Sequence, residues 1–145
     1  MLVDTHCHLD AQVYPEGPDA PLERARAAGV GAFVAIGVGD TLAQAHDAIR
    51  IASAQPDVWA SVGIHPHEAA HEPAVDVARL VELAKHPKVV ALGETGMDYY
   101  RMPSHKLGGT AEQDEIFKRK QAQIFQQQLE VAAEVGLNCV IHQRS

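Results

Sequence analysis

The chain has 145 residues, of which 46% are hydrophobic and 21% charged, and its net charge is −7 at neutral pH. This composition is typical of a globular domain and excludes collagen-like and disordered chains. No apolar stretch approaches the roughly 20 residues of a membrane-spanning helix. The two cysteines are too few for a disulfide scaffold, and no secretory signal opens the chain. We therefore expect a cytoplasmic domain that contacts no membrane.

Short apolar runs alternate with helical patterns along the chain. In chain order the patterns predict a short buried strand at 2–3, a helix at 21–28, a strand at 30–36, a helix at 41–54, a strand at 58–64, a helix at 74–84, a strand at 89–92, a polar loop at 98–110, a helix at 111–135 and a strand at 137–141. Thr41 is the expected N-cap of the second helix, and Gly136 the expected C-cap of the last. Five strands alternating with four helices predict a parallel α/β sheet. Both an open doubly wound sheet and a (β/α)₈ barrel begin in this way.

The last predicted helix is the longest, and its apolar positions form a stripe. The expected buried residues are Phe117, Ile124, Phe125, Leu129, Ala132 and Ala133. A coiled-coil seam is the competing interpretation, but the sequence holds barely two heptads where three or four are wanted. We therefore expect this helix to pack against the sheet.

Polar residues gather where the predicted strands end. The first strand continues into Asp4-Thr5-His6-Cys7-His8, the third ends in Gly63-Ile64-His65-Pro66-His67, the fourth in Gly93-Glu94-Thr95-Gly96 and the fifth in His142-Gln143-Arg144. Parallel α/β folds bind their ligands at the carboxyl ends of the strands. The sequence therefore predicts that these side chains converge at one edge of the sheet.

Three of these segments offer side chains that could bind a divalent metal ion. His6 and His8 are two residues apart, so on extended backbone their rings point to the same side. Taken alone, that pair could equally be structural histidines bonded to loop carbonyls. Glu94 and His142 at neighbouring strand ends favour metal binding, because imidazole and carboxylate ligands suit Zn²⁺ or Mn²⁺ and a carboxylate can bridge two ions.

The other polar residues have less specific interpretations. His65 is expected to contact substrate, and His67 could be a ligand, a substrate contact or a structural residue, with Pro66 stiffening the turn between them. Asp4 is expected to orient a histidine ring through its second nitrogen, and Cys7 to be a core thiol. Solvated surface is the expectation for four further histidines, namely His46, His71, His86 and His105.

Four ordered motifs together resemble the TatD family of metal-dependent deoxyribonucleases. They are V-D-T-H-C-H-L-D at the start, then G-I-H-P-H-E, then A-L-G-E-T-G-M-D-Y-Y-R, and finally V-I-H-Q-R. The resemblance extends from the first residues to the last, and the segment 121–132 also resembles a helix of that family. The loop 101–110 is longer than is usual for the family.

The resemblance implies a partial TIM (β/α)₈ barrel, with about five parallel strands, four helices and no closure. It implies hydrolysis of DNA phosphodiester bonds by metal-activated water, with His6 and His8 on one ion, Glu94 between two ions and His142 on the second. The ions would be Mg²⁺, Zn²⁺ or Mn²⁺, and His65 and Arg144 would contact the DNA substrate. The family's remaining ligands, a histidine after strand six and a catalytic aspartate after strand eight, are expected beyond Ser145. The chain would then be an apparently truncated single domain.

Two alternatives stay open at this stage. Related amidohydrolases that cleave C–N bonds also use an H-x-H pair and a histidine after strand five. The chain could also be an inactive metal-binding fragment that needs a missing half. The G-E-T-G-M-D-Y-Y motif favours the nuclease over the first alternative, and oligomeric state is not predicted.

Overall fold

The computed structural model describes residues 1–39, 42–69 and 77–145. Over these residues the strands form a five-stranded sheet in the order β1-β2-β3-β4-β5, and every neighbouring pair is parallel. The strands are β1 (Leu2–Cys7), β2 (Val30–Gly37), β3 (Val58–Val62), β4 (Val89–Asp98) and β5 (Asn138–Arg144). The predicted parallel α/β sheet is therefore confirmed, with β1 and β5 as its open edges.

The described residues also form five α-helices. They are α1 (Asp19–Ala27), α2 (Ala43–Ala54), α3 (Pro66–Ala69), α4 (Val77–Ala84) and α5 (Ala111–Val135), and a short 3₁₀ helix spans Pro103–His105. Four of them correspond to the predicted helices, and α3 is an additional single turn where the sequence predicted only a stiffened turn. The predicted N-cap Thr41 and residues 74–76, the start of the helix predicted at 74–84, lie outside the described residues.

Three strands extend further than predicted, and one of them is also less buried. β1 extends to Cys7, β4 to Asp98 and β5 to Arg144, so most polar residues of these three motifs lie within the strands rather than after them. The reason is the neighbouring backbone, because β4 stays paired with β5 as far as Asp98 and Arg144. The prediction that residues 2–3 are buried was wrong: Leu2 is 63% and Val3 51% exposed, since β1 is an edge strand.

The hydrophobic core lies between the central strands and the helices that cover them. Fully buried side chains from both layers are Leu22, Val58, Val62, Leu80, Leu92 and Val131. Strands β2 to β4 carry most of the buried sheet positions, whereas β1 and β5 are largely exposed. None of the described helices has both the length and the apolar character needed to cross a bilayer.

Helix α5 has the bounds that the sequence predicted, because its two ends carry strong local signals. Thr110 and Gln113 form a reciprocal capping box, and Gly136 adopts a left-handed conformation with φ of 73°. The predicted stripe was partly wrong: Phe117, Phe125 and Leu129 are only partly buried and Ala133 is exposed. The buried face instead consists of Gln121, Ile124, Gln128, Val131 and Ala132.

The sheet is curled rather than flat. Three strand spacings separate β1 from β4, which amounts to about 14 Å in a flat sheet. Side chains stand roughly perpendicular to a sheet, yet Nε2 of His6 lies 3.5 Å from Oε2 of Glu94. The contact is possible only if the sheet curves towards the face that carries His6 and Glu94. The five strands therefore form an open half-barrel.

Candidate metal centre

Three strands bring their polar residues together on the concave side of the curled sheet. His6 lies in β1 with His8 just after it, Glu94 lies in β4 and His142 in β5. The imidazole rings of His6 and His8 are 5.4 Å apart. The predicted convergence of these side chains is therefore observed.

Glu94 lies between the histidines of the two edge strands. Its Oε1 is 3.0 Å from Nδ1 of His142, and its Oε2 is 3.5 Å from Nε2 of His6. The carboxylate side chain is only 13% exposed. The two oxygens of one carboxylate thus face histidines that lie four strands apart in the sheet.

Among the described residues, two overlapping groups could each hold a metal ion. One consists of His6, His8 and Glu94, the other of His65, Glu94 and His142, and within each group one ligand atom per residue lies within 4.8 Å of the others. Imidazole nitrogens with a carboxylate oxygen are a donor set that suits divalent ions such as Zn²⁺ or Mn²⁺. A cation here would also offset the charge of the largely buried Glu94. The residues present therefore fit a divalent metal centre.

The glycines of the G-E-T-G motif let β4 and β5 approach each other around Glu94. Gly93 and Gly96 have φ of 135° and 141°, a region that favours glycine. A Cβ at Gly93 would collide with the carbonyl oxygen of Val140, and one at Gly96 with that of His142. The two glycines of the motif therefore allow a close approach of the parallel strands β4 and β5, which brings His142 against Glu94.

Asp98 is a member of the centre that the sequence interpretation missed. Its side chain is fully buried, and its Oδ2 lies 2.8 Å from Nε2 of His142 and 2.8 Å from Nε2 of His67, the second contact not being aligned as a hydrogen bond. Burial raises the pKa of Asp98, but hydrogen bonds from the Tyr100 amide and His142, together with the nearby His67 ring, outweigh it, so the pKa falls below its usual value. The sequence does contain a signal for Asp98. Residues four apart on a strand lie on the same face, so Asp98 is expected on the same face of β4 as Glu94.

Two buried glutamines of α5 hold the strand ends in place. Gln121 accepts from the amide of Asp98 and donates to its carbonyl oxygen, each at 2.8 Å. Gln128 accepts from the amide of Ile64 and donates to the carbonyl oxygen of Ile64 and to Oγ1 of Thr95. Both are completely buried. Their spacing of seven residues, in register with Ile124 and Val131, is the signal that could have identified them.

The two residues predicted to contact substrate occupy different surroundings. The His65 ring is 4.5 Å from that of His142, and burial, with repulsion from His142, lowers the pKa of His65 to about 4. A neutral imidazole at this position can bind a metal ion. Arg144 is exposed on β5, where its guanidinium lies 3.6 Å from the centre of the Tyr100 ring. His65 therefore belongs to the centre itself, and Arg144 to its rim.

The structure also places the remaining polar candidates. Oδ1 of Asp4 accepts from the backbone amide of His6 at 3.0 Å, so the predicted contact with a histidine ring was wrong. The Cys7 thiol donates to the carbonyl oxygen of Val34 and packs against the core, and burial, with the nearby Asp4 charge, raises its pKa to about 12. His46 and His105 are exposed and His86 is partly exposed, while His71 lies outside the described residues.

Comparison with known proteins points to a family of metal-dependent hydrolases, in agreement with the metal-binding character of the centre. The family model described as TatD related DNase matches residues 3–145. The chain is 38% identical to the uncharacterized metal-dependent hydrolase TatD of Mycobacterium tuberculosis over 147 aligned residues, covering 99% of this chain and 52% of that protein. It is 34% identical to the uncharacterized metal-dependent hydrolase YabD of Bacillus subtilis, covering 99% of this chain and 51% of that protein.

A relative named as a nuclease and a solved structure are also similar. The chain is 31% identical to the 3'-5' ssDNA/RNA exonuclease TatD of Musicola paradisiaca, covering 99% of this chain and 49% of that protein. The crystal structure of YjjV, a TatD homologue of Escherichia coli, superposes with a TM-score of 0.80 at 26% identity over 99% of this chain and 51% of that one. The chain thus spans about half the length of the curated relatives it matches. The match over residues 3–145, together with the shared fold, means that this chain belongs to the TatD-related DNase family.

Proposed function

We propose that this chain supplies the metal-binding part of a centre that hydrolyses phosphodiester bonds of DNA. Several relatives are named as 3'-5' ssDNA/RNA exonucleases, so single-stranded DNA is the substrate to test first. The family motifs are all present, and the fold brings their side chains to one place. The related hydrolysis of C–N bonds is the competing activity that the test must separate.

The observation that carries the proposal is the position of Glu94 between His142 and His6. A single carboxylate with one oxygen towards each histidine has the arrangement of a bridging ligand. In an ordinary structural ion pair, a largely buried glutamate would face a lysine or an arginine. Glu94 instead faces imidazoles that can each bind a metal ion through a lone pair.

We assign each residue of the centre a role. His6 and His8 hold one ion, Glu94 is shared and His142 holds the second, giving two divalent ions of Mg²⁺, Zn²⁺ or Mn²⁺. A bound divalent ion supplies a water acidic enough to act as a nucleophile near neutral pH. His65 and Arg144 contact the substrate, and the guanidinium of Arg144 has the donor geometry for phosphate oxygens. No residue of the chain is assigned as the proton acceptor.

The proposal also covers the domain organisation of the chain and its cellular compartment. Residues 1–145 are treated as one hydrolase domain, because a single sheet carries every proposed ligand. Cys7 and Cys139 are both free thiols, and a reducing compartment such as the cytoplasm favours that state.

The test combines metal binding with oligonucleotide cleavage. The chain is incubated with a labelled single-stranded oligonucleotide and Mg²⁺, Mn²⁺ or Zn²⁺, with and without EDTA, and with a cyclic amide as the alternative substrate. We expect metal-dependent cleavage of DNA that EDTA abolishes, and no turnover of the amide.

Glu94→Gln keeps the shape of the side chain but removes its charge, so calorimetry is expected to show weaker metal binding at both sites. Asp57→Asn, the same loss of charge away from the centre, is the control and is expected to retain metal binding and cleavage.

Metal binding without cleavage of DNA at any metal concentration would contradict the nuclease proposal and favour an inactive metal-binding fragment. Normal metal content in Glu94→Gln would remove Glu94 from the centre.

A further inference from the structure

A cavity of about 530 Å³ lies beside the metal centre, beneath the segment 99–110. It is lined by His67, Arg101, Pro103, Lys106, Leu107 and Phe117, among other residues. The volume falls within the range of small-molecule sites, which is about 300–1,000 Å³. Of the described lining residues, only His67, Glu68 and Arg101 belong to the four family motifs, so the motifs do not account for most of this lining.

The cavity borders the proposed metal centre directly. His67 forms part of its wall, and Nε2 of the same residue lies 2.8 Å from Oδ2 of Asp98, the carboxylate that also contacts His142. A polynucleotide whose phosphodiester bond lay at Glu94 and His142 would therefore extend a neighbouring nucleotide towards this cavity. The position suits a flanking subsite rather than the reacting centre.

The loop that covers the cavity is held by its own hydrogen bonds. The amide and hydroxyl of Ser104 donate to the carboxylate of Asp114 at 2.8 and 2.6 Å. Nδ1 of His105 lies 2.9 Å from the carbonyl oxygen of Tyr100, and Thr110 caps α5. The cavity therefore exists before a ligand binds, which lowers the entropic cost of binding.

Two cations on this loop are available for a negatively charged ligand. Within the described part of the chain, Arg101 and Lys106 form no ion pair with a carboxylate, although the chain as a whole carries a net charge of −7. Among the described residues of the lining, Glu68 is the one that carries a carboxylate. An excess of positive charge on an acidic chain, next to a phosphodiester-cleaving centre, favours a phosphate ligand.

The rest of the wall is apolar. Pro103, Leu107 and Phe117 line the same cavity, and the side chain of Leu107 is fully exposed to solvent. Apolar and aromatic surface next to cations is the combination that binds single-stranded nucleic acid without sequence preference, since bases pack on the surface while cations contact the backbone.

We propose that this cavity is a subsite for a nucleotide that flanks the scissile phosphodiester bond. Arg101 and Lys106 each contact a different backbone phosphate, and Pro103, Leu107 and Phe117 contact the sugar and base. The subsite rests on the proposed nuclease function, because its ligand is part of the polynucleotide that the metal centre would cleave.

The test measures binding without hydrolysis. Fluorescence anisotropy of a labelled oligothymidylate is recorded with EDTA present, over a series of KCl concentrations, for the unsubstituted chain and for Arg101→Ala with Lys106→Ala. The double variant is expected to bind more weakly. The slope of log K against log salt concentration should fall by about 1.4, because each lost phosphate contact on a single strand accounts for about 0.7.

The matched control is Arg24→Ala with Lys85→Ala. It removes the same charge from the ends of α1 and α4, shortly before the amino ends of β2 and β4, and is expected to keep the slope. Circular dichroism and Zn²⁺ titration show whether both double variants retain the fold and the metal centre. Unchanged affinity and slope in Arg101→Ala with Lys106→Ala, while the unsubstituted chain binds and cleaves DNA, would overturn the subsite alone. An unsubstituted chain that neither binds nor cleaves the oligonucleotide would overturn the subsite and the proposed function together.

Discussion

Oδ2 of Asp98 lies 2.8 Å from Nε2 of His142, so the two ring nitrogens of this histidine face two different carboxylates, Asp98 and Glu94. Asp98 is fully buried and fixed by the amide of Tyr100 and by Gln121. The ring is therefore held in one orientation before any ion binds. Carboxylates that orient a metal-binding histidine in this way typically contribute 10- to 100-fold to metal affinity.

Asp98→Asn is expected to weaken divalent metal binding by about tenfold or more. The substitution keeps the shape of the side chain but removes the charge that His142 and His67 contact. Calorimetric titration with Zn²⁺ measures the effect, and Asp57→Asn serves as the control for loss of one carboxylate. Equal Zn²⁺ affinity in the two variants would mean that Asp98 has only a structural role.

His6→Ala combined with His8→Ala is expected to reduce the metal stoichiometry by about one ion per chain, because a site with three protein ligands would keep only Glu94. The stoichiometry comes from calorimetry with Zn²⁺ or Mn²⁺. His46→Ala combined with His86→Ala removes two histidines outside the centre and should leave the stoichiometry unchanged. If the first double variant binds as many ions as the unsubstituted chain, His6 and His8 are structural histidines.

Gln128→Leu is expected to lower the free energy of unfolding by about 3 kcal/mol, since it leaves the buried amide and carbonyl groups of Ile64 without partners. The residue after Ile64 is His65, so its ring should also lose its fixed position. Urea denaturation measures the stability. Gln123→Leu, on the exposed face of the same helix, should stay within about 0.5 kcal/mol of the unsubstituted chain. A similar small change in Gln128→Leu would contradict the proposed role of the glutamine.

The Arg26–Asp57 pair is expected to make stability depend on pH in acid. Two hydrogen bonds of 2.8 and 2.7 Å join the guanidinium to the carboxylate, and they hold the pKa of Asp57 below its usual value of 3.8. A carboxylate whose pKa is lowered by folding stabilises the protein above its unfolded pKa, and the contribution is lost as the pH falls through the folded pKa. Because both side chains are partly exposed, the contribution is about 1 kcal/mol or less.

Urea denaturation of the unsubstituted chain and of Asp57→Asn, repeated across a range of pH, measures this contribution. The difference in free energy of unfolding should be constant at neutral pH and should shrink only in acid, below the usual pKa of the carboxyl group. A difference that instead grew in acid would contradict the assigned direction of the pKa shift.

Local signals explain which elements could be predicted. Helix α5 has its predicted bounds because its ends are set by short-range contacts: Gly136, the predicted C-cap, is left-handed, and the structure adds a capping box at Thr110. The strands were predicted too short at β1, β4 and β5, because their polar ends are kept in strand conformation by pairing with neighbours, which no local pattern records. The buried face of α5 was only partly predicted for a similar reason, since Gln121 and Gln128 are buried where they bond to β4 and to Ile64.

The sequence by itself determined the order of strands and helices and the residues at the ends of the strands. Those features follow from side-chain periodicity and from motifs that are local in the chain. Only the tertiary structure decided that His6 meets Glu94 and that Asp98 joins His142, because both contacts depend on how far the sheet curls. That curvature sums the twist of five strands and the packing of the helices behind them, so it is a property of the whole sheet and of no single segment.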